Sequence, residues 1–480
     1  MPPAVALRAQ IADIDAQIRD HETSISSLLS KREQLDSELK AIVYPIHTLP
    51  IELLVKIFQH ACADQNIPHF RLTVAAVCRV WLDTALTTSS LWQRLVFRCK
   101  SASPEVQEIL RTWLSRSKIL PLDIIITLPL AVEDANIVML LLAEFSSRWR
   151  FAGFHKERRL GGPRGPSIQV TSEAFPASLP LLETLEFYAQ FELARNSREA
   201  SSSWPALRKL VLWGCTPPVV VSFENLTRLE IGNLSVQKAL IMLQQCPLLE
   251  NLNLDSYHHD DDSETGVVPQ IPLALTHLHT LELHIGEAHV LPALVLPALK
   301  SVILDVQPPE MGIPVLRSLF ERSRCQVETV RIVSYTFAPS YEFLASQLFP
   351  AMHSLVISCF SGITSEDLLL LSGLGTRGSL ACMNSLTITL LPSDVDSSSL
   401  FMFAKSHAQQ LHDRSHSTGT LTNDQGNQGP FKLEIRTIKR TLMIPIKTAV
   451  ELLRSAEWND IIDVRFEEGT LLDSDNFEFL

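Results

Sequence analysis

One apolar rhythm recurs along most of this chain and leaves few folds open to it: Pro-x-apolar-x-x-apolar-x-apolar. It stands as Pro180-Leu181-Leu182-Glu183-Thr184-Leu185-Glu186-Phe187 and again as Pro205-Ala206-Leu207-Arg208-Lys209-Leu210-Val211-Leu212. Further copies start at Pro247, Pro297 and Pro350. Versions without the proline run through Leu226, Leu229 and Ile231, through Leu278, Leu281 and Leu283, through Val327, Val330 and Ile332, and through Met383, Leu386 and Ile388. The copies lie about 19 to 31 residues apart, the range in which one repeat is one supersecondary unit buried against the next. Each apolar-x-apolar pair predicts a short strand with those side chains inward. Between them Val236–Gln245, Pro314–Arg322 and Ser365–Ser372 read as helices. A proline at the head of a copy is expected to stop the preceding helix and start extended chain. The spacing excludes a strict heptad and a propeller blade of four strands.

The totals narrow the class further. With 480 residues, 46% apolar and 20% charged, the chain is globular and longer than one typical domain. Its formal net charge of −12 argues against nucleic acid or an anionic membrane as the main partner, since both demand clustered positive charge. The longest apolar run, Asn136 to Phe145, is too short to span a bilayer. Pro2 and Pro3 lead into a charged helix, without a secretory apolar segment. An intracellular protein, cytoplasmic or nuclear, is expected. The eight cysteines are scattered with no Cys-x-x-Cys, so no zinc module is expected, and reduced, mostly buried thiols are.

Residues 1–44 carry the cleanest helical period. Leu7, Ile11, Ile14, Ile18, His21, Ile25, Leu28, Arg32, Leu35, Leu39 and Ile42 alternate steps of four and three. Leu7 at heptad position d puts Ile11, Ile18, Ile25, Arg32 and Leu39 at a, and Ile at a with mostly Leu at d favours a two-stranded coiled coil. His21 and Arg32 interrupt the seam and set register or orientation. A homodimer through residues 7–42 is one outcome; folding of the helix back onto the rest of the chain is the other. Pro45 ends the helix.

Residues 45–98 hold Leu49-Pro50-Ile51-Glu52-Leu53-Leu54, then Ile57-Phe58, Val77-Cys78-Arg79-Val80-Trp81 and Leu91-Trp92. Pro50 suits a first helical position and Glu52 faces the positive end of the helix dipole. Leu53, Leu54, Ile57, Phe58 and Ala61 form one broad apolar face. About fifty residues make only a thin core, so a leftover apolar face on such a unit reads as a docking surface. An ordinary helical subdomain packed on the rest of the chain is the plainer alternative. In order and spacing these motifs resemble an F-box. The resemblance implies docking onto a Skp-type adaptor and, through it, a cullin–RING ubiquitin ligase. By position it puts Leu49, Pro50, Leu53, Leu54, Ile57 and Val77 at or near the adaptor, with Trp81, Leu91 and Trp92 mostly in the bundle core. Lacking a paired-cysteine zinc module, the chain would leave ubiquitin transfer to associated subunits.

Residues 176–400 resemble leucine-rich repeats, and an F-box followed by such repeats resembles the substrate receptors of SCF-type ligases. The usual Asn or Cys after the last Leu occurs only as Cys215, so an irregular solenoid with parallel strands is expected. Residues 99–175, with a helix over Pro104–Ser117, a strand over Leu122–Leu128 and a second helix over Val132–Ser147, read as degenerate capping repeats. Residues 401–430, rich in Ser, Thr, Asn, Gln and Gly, read as a disordered loop, and 431–480 as a closing repeat. The fold class is therefore α/β: a long helix, a small helical bundle and a repeat domain.

Little in the chain is suited to catalysis. His258-His259-Asp260-Asp261-Asp262 has metal-ligand residue types, but consecutive side chains cannot converge on one ion, and a solvated loop accounts for them better. His277, His279 and His284 lack an accompanying ligand pattern, and the glycines from Gly161 to Gly165 do not join a strand to a helix as a phosphate loop would. No cofactor, metal or catalytic residue is expected. Strand parity exposes Glu186, Lys209, Val211, Trp213, Arg228, Glu230, Asn253, Asp255, Glu282, His284 and Arg331 on one sheet face. Trp213 and Arg331 lead as target contacts, because exposed Trp and Arg are typical hot spots, with Glu186 and Glu230 beside them. The acidic members hint at a basic patch on the partner. Three functions remain open: a ligase substrate receptor, a non-catalytic dimeric scaffold unconnected to ubiquitin transfer, and an enzyme hidden in the repeats.

Overall fold

The computed structural model describes residues 4–41, 49–63, 70–129, 131–156, 168–171, 175–176, 178–188, 191–194, 204–213, 223–232, 234, 236–255, 272–284, 288–306, 312–359, 363–376, 383–390, 402–403, 405, 431–437 and 462–468. The chain divides into two compact units, Met1–Leu91 and Trp92–Leu480.

The first unit is helical. Helix α1 (Ala4–Ala41) is 38 residues long. After it come α2 (Ile51–Ala63), α3 (Phe70–Ala75) and α4 (Arg79–Thr87). α2 begins one residue later than the sequence predicts: Pro50 precedes the helix, and its carbonyl accepts from the backbone N–H groups of Leu53 and Leu54 at 3.0 and 3.1 Å. That position still exploits the missing proline N–H, because the first-turn donors have no intrahelical acceptor. α2 packs on both α3 and α4.

The second unit is built on one sheet. Its elements run β1 (Arg94–Arg98), α5 (Pro104–Arg116), β2 (Leu122–Leu128), α6 (Val132–Ala143), β3 (Trp149–Lys156), β4 (Ile168–Thr171), β5 (Thr184–Tyr188), β6 (Phe191–Ala194), β7 (Lys209–Trp213) and β8 (Arg228–Gly232). They continue α7 (Val236–Leu243), β9 (Asn251–Asp255), β10 (Leu273–Ala274), β11 (Thr280–His284), β12 (Leu294–Val295), β13 (Ser301–Val306), α8 (Gly312–Ser323), β14 (Thr329–Ser334), α9 (Phe337–Ala345), β15 (Ser354–Cys359), α10 (Ser365–Thr376), β16 (Ser385–Leu390), β17 (Phe431–Thr437) and β18 (Ile462–Glu468). Fourteen strands form one sheet in strict chain order, β1-β2-β3-β5-β7-β8-β9-β11-β13-β14-β15-β16-β17-β18. Every adjacent pair is parallel. β4 pairs with β6 and β10 with β12 in two small parallel ladders.

Each predicted apolar-x-apolar pair lies in a strand, and both members are buried: Leu185 and Phe187, Leu210 and Leu212, Leu252 and Leu254, Leu281 and Leu283, Val302 and Leu304, Leu355 and Ile357. Alternation with a period of two explains it, since one strand face lines the core. The proline at the head of a repeat does something other than the sequence suggests. It is the second residue of a hydrogen-bonded turn, in which the residue before Pro180, Pro205, Pro247, Pro297 or Pro350 accepts from the N–H three positions on, at 3.1–3.3 Å. A fixed φ near −65° favours that position of a turn. The residue after each turn then donates to the preceding repeat, as in Arg208 to Glu183, Thr227 to Arg208, Glu250 to Thr227 and His279 to Glu250. This backbone ladder sets the register, and at one step the Asn225 side chain adds to it by donating to Pro205 O at 3.1 Å.

Helix ends were harder to foresee. Lys118, Arg324 and Gln347 have φ of 53°, 50° and 56° and stand just after α5, α8 and α9. That is the left-handed capping position usually held by glycine. Arg148 completes the first of these caps, donating to Leu114 O at 3.0 Å, Ser117 Oγ at 3.0 Å, Leu120 O at 3.3 Å and Lys118 O. Most of the expected loop over 401–430, and the runs at Gly161–Gly165 and His258–Asp262, lie outside the described residues.

Candidate functional site

In the helical unit, burial splits α2 lengthwise. Leu54, Phe58 and Cys62 face inward, and the Phe58 ring meets Trp81 edge-on at 4.9 Å. Gln59 ties the helix to the following turn by donating to Ser90 Oγ at 2.7 Å. On the other side Leu53 is 46% and Ile57 47% exposed. They stand four residues apart and so share a face. Ile51, Leu72, Val77, Val80 and Leu82 are exposed as well. A small unit that leaves this many large apolar side chains in water carries an unsatisfied hydrophobic driving force.

The residues expected at an adaptor surface divide accordingly. Pro50, Leu53, Ile57 and Val77 are exposed and Leu49 is partly so. Leu54 is a correction: at 3% exposure it belongs to the core, because the residue next to an exposed Leu53 is turned about 100° around the helix. Leu72, Val80 and Ile51 were missed. Val80 lies near the start of α4, while Val77 stands in the turn before it, so no helical spacing links them; Leu72 lies in a six-residue helix too short for a period to register. Trp81 is half-buried and Leu91 buried. Trp92 falls in the sheet unit, where its ring meets Trp113 at 4.9 Å with the Arg116 guanidinium 4.6 Å from its centroid.

Residues 46–98 match the F-box-like family. An F-box-like domain therefore occupies this part of the chain, and its helical part contains the exposed apolar residues of α2 to α4. No curated protein matches the chain.

The predicted target-binding residues lie together on the sheet face opposite the core, in adjacent register. Glu186 pairs across to Val211, Val211 to Glu230, Glu230 to Asn253, Asn253 to Glu282, Glu282 to Ile303 and Ile303 to Arg331. One row further along, the rings of His155 and Tyr188 stack at 4.7 Å, and Tyr188 stands 6.3 Å from Trp213. Trp213 lies over Gly232, where a Cβ would come within 3.0 Å of the indole. It is thus half-buried, not the freely exposed ring that parity predicts.

Two other expectations change. Glu230 is only 7% exposed, held by Arg228 at 3.0 Å and Lys209 at 3.4 Å, so it is bound up within its own face. Val211 is buried. Glu186 accepts from Lys209 at 3.0 Å and remains partly exposed, as does Arg331, whose buried Nε has no hydrogen-bond partner among the described residues. Burial raises the Glu282 carboxyl above its ordinary value, with His284 and Arg331 opposing.

His284 does have acidic neighbours, concealed in the sequence because they come from adjacent strands. Asp305 is 2.8 Å and Asp255 3.7 Å from its Nδ1. Burial works against its charged form, but the Asp305 hydrogen bond and the Asp255, Asp305 and Glu282 charges prevail and raise its pKa. Among the described residues no group of three or more His, Cys, Asp or Glu is placed to hold a metal ion, and no helix is long and apolar enough to cross a membrane. The six described cysteines are free, and burial raises Cys99 to about 11 and Cys246 to about 12, which makes them poor nucleophiles.

Proposed function

We propose that this chain is the substrate-recognition subunit of an SCF-type cullin–RING ubiquitin ligase, working inside the cell. Its F-box-like helices bind a Skp-type adaptor through Leu53, Ile57 and Val77, with Leu49 and Pro50 at the margin and Leu72 and Val80 extending the patch. The strand stack, read as a leucine-rich-repeat-like solenoid, holds a target protein on the face bearing Trp213, Glu186 and Arg331. The chain itself is non-catalytic. By holding a target near a charged ubiquitin-conjugating enzyme it raises effective concentration, and associated subunits carry out the transfer.

The single observation carrying this reading is the exposed apolar side of α2 within a segment that matches the F-box-like family. The test is co-elution of the full chain with recombinant adaptor, followed by capture of cullin from cell extract. Leu53→Asp combined with Ile57→Asp should abolish both, because docking would then bury two unpaired carboxylates. Undiminished adaptor binding by that variant would overturn the proposal.

A further inference from the structure

Helix α1 presents an apolar stripe that nothing in the described residues covers. Leu7, Ile11, Ile14, Ile18, Ile25, Leu28, Leu35 and Leu39 are each between 47% and 66% exposed. At about 1.5 Å per residue the helix runs for roughly 57 Å. An isolated helix of this kind is marginal in water, and its exposed leucines and isoleucines make it more so. The stripe is also narrow. From Ala9 to Lys40 the b, c and f positions hold Ala, Ser, Thr, Asp, Glu, Gln, Arg and Lys, and no Leu, Ile or Val. A helix that docks on a globular body shows a broad face of three or more positions per heptad; here every Leu and Ile from Ala9 to Lys40 except Leu29, at e, keeps to a and d, the seam of a coiled coil.

A partner for this seam must match its length. Among the described residues the next longest helices, α2 and α5, have 13 residues each, so none can pair along it. We infer that α1 pairs with α1 of a second copy of this chain, making the protein a two-stranded coiled-coil homodimer. Ile11, Ile18 and Ile25 at a, with Leu28 and Leu35 at d, are the combination that selects two strands. Burying a Leu or Ile removes on the order of 60–120 Å² from water, so eight from each helix bury on the order of 1,000 Å² or more, the size of a stable interface. His21 and Arg32 interrupt the seam, as single polar residues do where specificity is gained at the expense of stability. Lys40 and Asp36 pair within the helix at 2.7 Å, as do Gln34 with Glu38 and Gln17 with Asp13 at 3.0 Å, leaving the seam to the apolar residues. The dimer carries two F-box-like domains.

Light scattering and sedimentation equilibrium of the full chain read the assembly directly. The expected mass is twice 53.6 kDa at micromolar concentration. Ile18→Asp with Ile25→Asp should weaken dimerisation at least about 100-fold and give the monomer mass. Ser26→Asp with Ser30→Asp, on the outer face, should leave the dimer intact. Adaptor binding by the Ile18/Ile25 variant, at unchanged affinity per chain, shows that the remaining domains are folded and separates this outcome from any failure of the F-box reading. A monomeric wild-type chain would overturn the inference. So would a dimer that survives the Ile18/Ile25 substitutions.

Discussion

Replacing Leu53 and Ile57 together by alanine separates the docking surface of α2 from its core, because Leu54 and Phe58 occupy the adjacent positions on the buried side. Fully burying a leucine or isoleucine is worth about 1.5–3 kcal/mol. With 46% and 47% of the two side chains in water, docking gains about half of that from each, or about 1.5–3 kcal/mol together. At 1.4 kcal/mol per factor of ten, the Kd for a Skp-type adaptor should rise about 10- to 150-fold. The melting temperature should also fall, because the covered half of each side chain supports the fold, by an amount comparable to the docking loss. Leu54→Ala is the contrasting variant. It empties a site that is 3% exposed and should cost about 2–5 kcal/mol of stability, while leaving the affinity of the folded fraction unchanged. Titration calorimetry on the full chain at 15 °C, with thermal melts alongside, measures both. Adaptor affinity unchanged in the Leu53/Ile57 variant, or lost in Leu54→Ala under conditions where it is fully folded, would refute the division of α2 into two sides.

The sheet unit carries further expectations. Arg148→Met removes the donors that close the end of α5 and should lower stability by about 2 kcal/mol in urea titrations, with no change in adaptor affinity. Glycine at Lys118, Arg324 or Gln347 relieves a left-handed backbone and should raise the thermal midpoint, each by the equivalent of about 0.5–1 kcal/mol. His284 has a pKa raised above its ordinary 6.5, so its contribution is complete below that pH and is lost as pH rises through the folded value. The wild-type thermal midpoint should therefore fall as pH rises above 6.5, and His284→Gln should remove that part of the fall; identical pH profiles would contradict the pairing with Asp305 and Asp255.

Which features the sequence announces follows from how far apart their determinants lie. The strands were legible because Leu185 and Phe187, or Val330 and Ile332, encode inward and outward positions two residues apart. α1 was legible because its heptads repeat along 38 residues. The parallel pairing of the strands was legible from the recurring unit, whereas β1 and β3, which carry no copy of it, were not. What stayed hidden depends on pairs distant in the chain. Lys209 between Glu186 and Glu230 is visible only once three strands are in register. The same holds for Asp305 beside His284, and for Trp213 settling on Gly232. Leu54 failed for a local reason: α2 has apolar residues around most of its circumference, and the pattern alone does not say which side meets α3 and α4.

In the long sheet each strand pairs only with the sheet strands before and after it, while neighbouring excursions touch at places such as the β4–β6 and β10–β12 ladders. Residues 391–430 intervene between β16 and β17, yet these two strands pair in unbroken register from Ser385 and Lys432 to Leu390 and Thr437. Closing a longer excursion costs only logarithmically in its length. Insertions and deletions there should leave the register as it stands. Natural variation in length should therefore collect between strands and spare the turns that begin them.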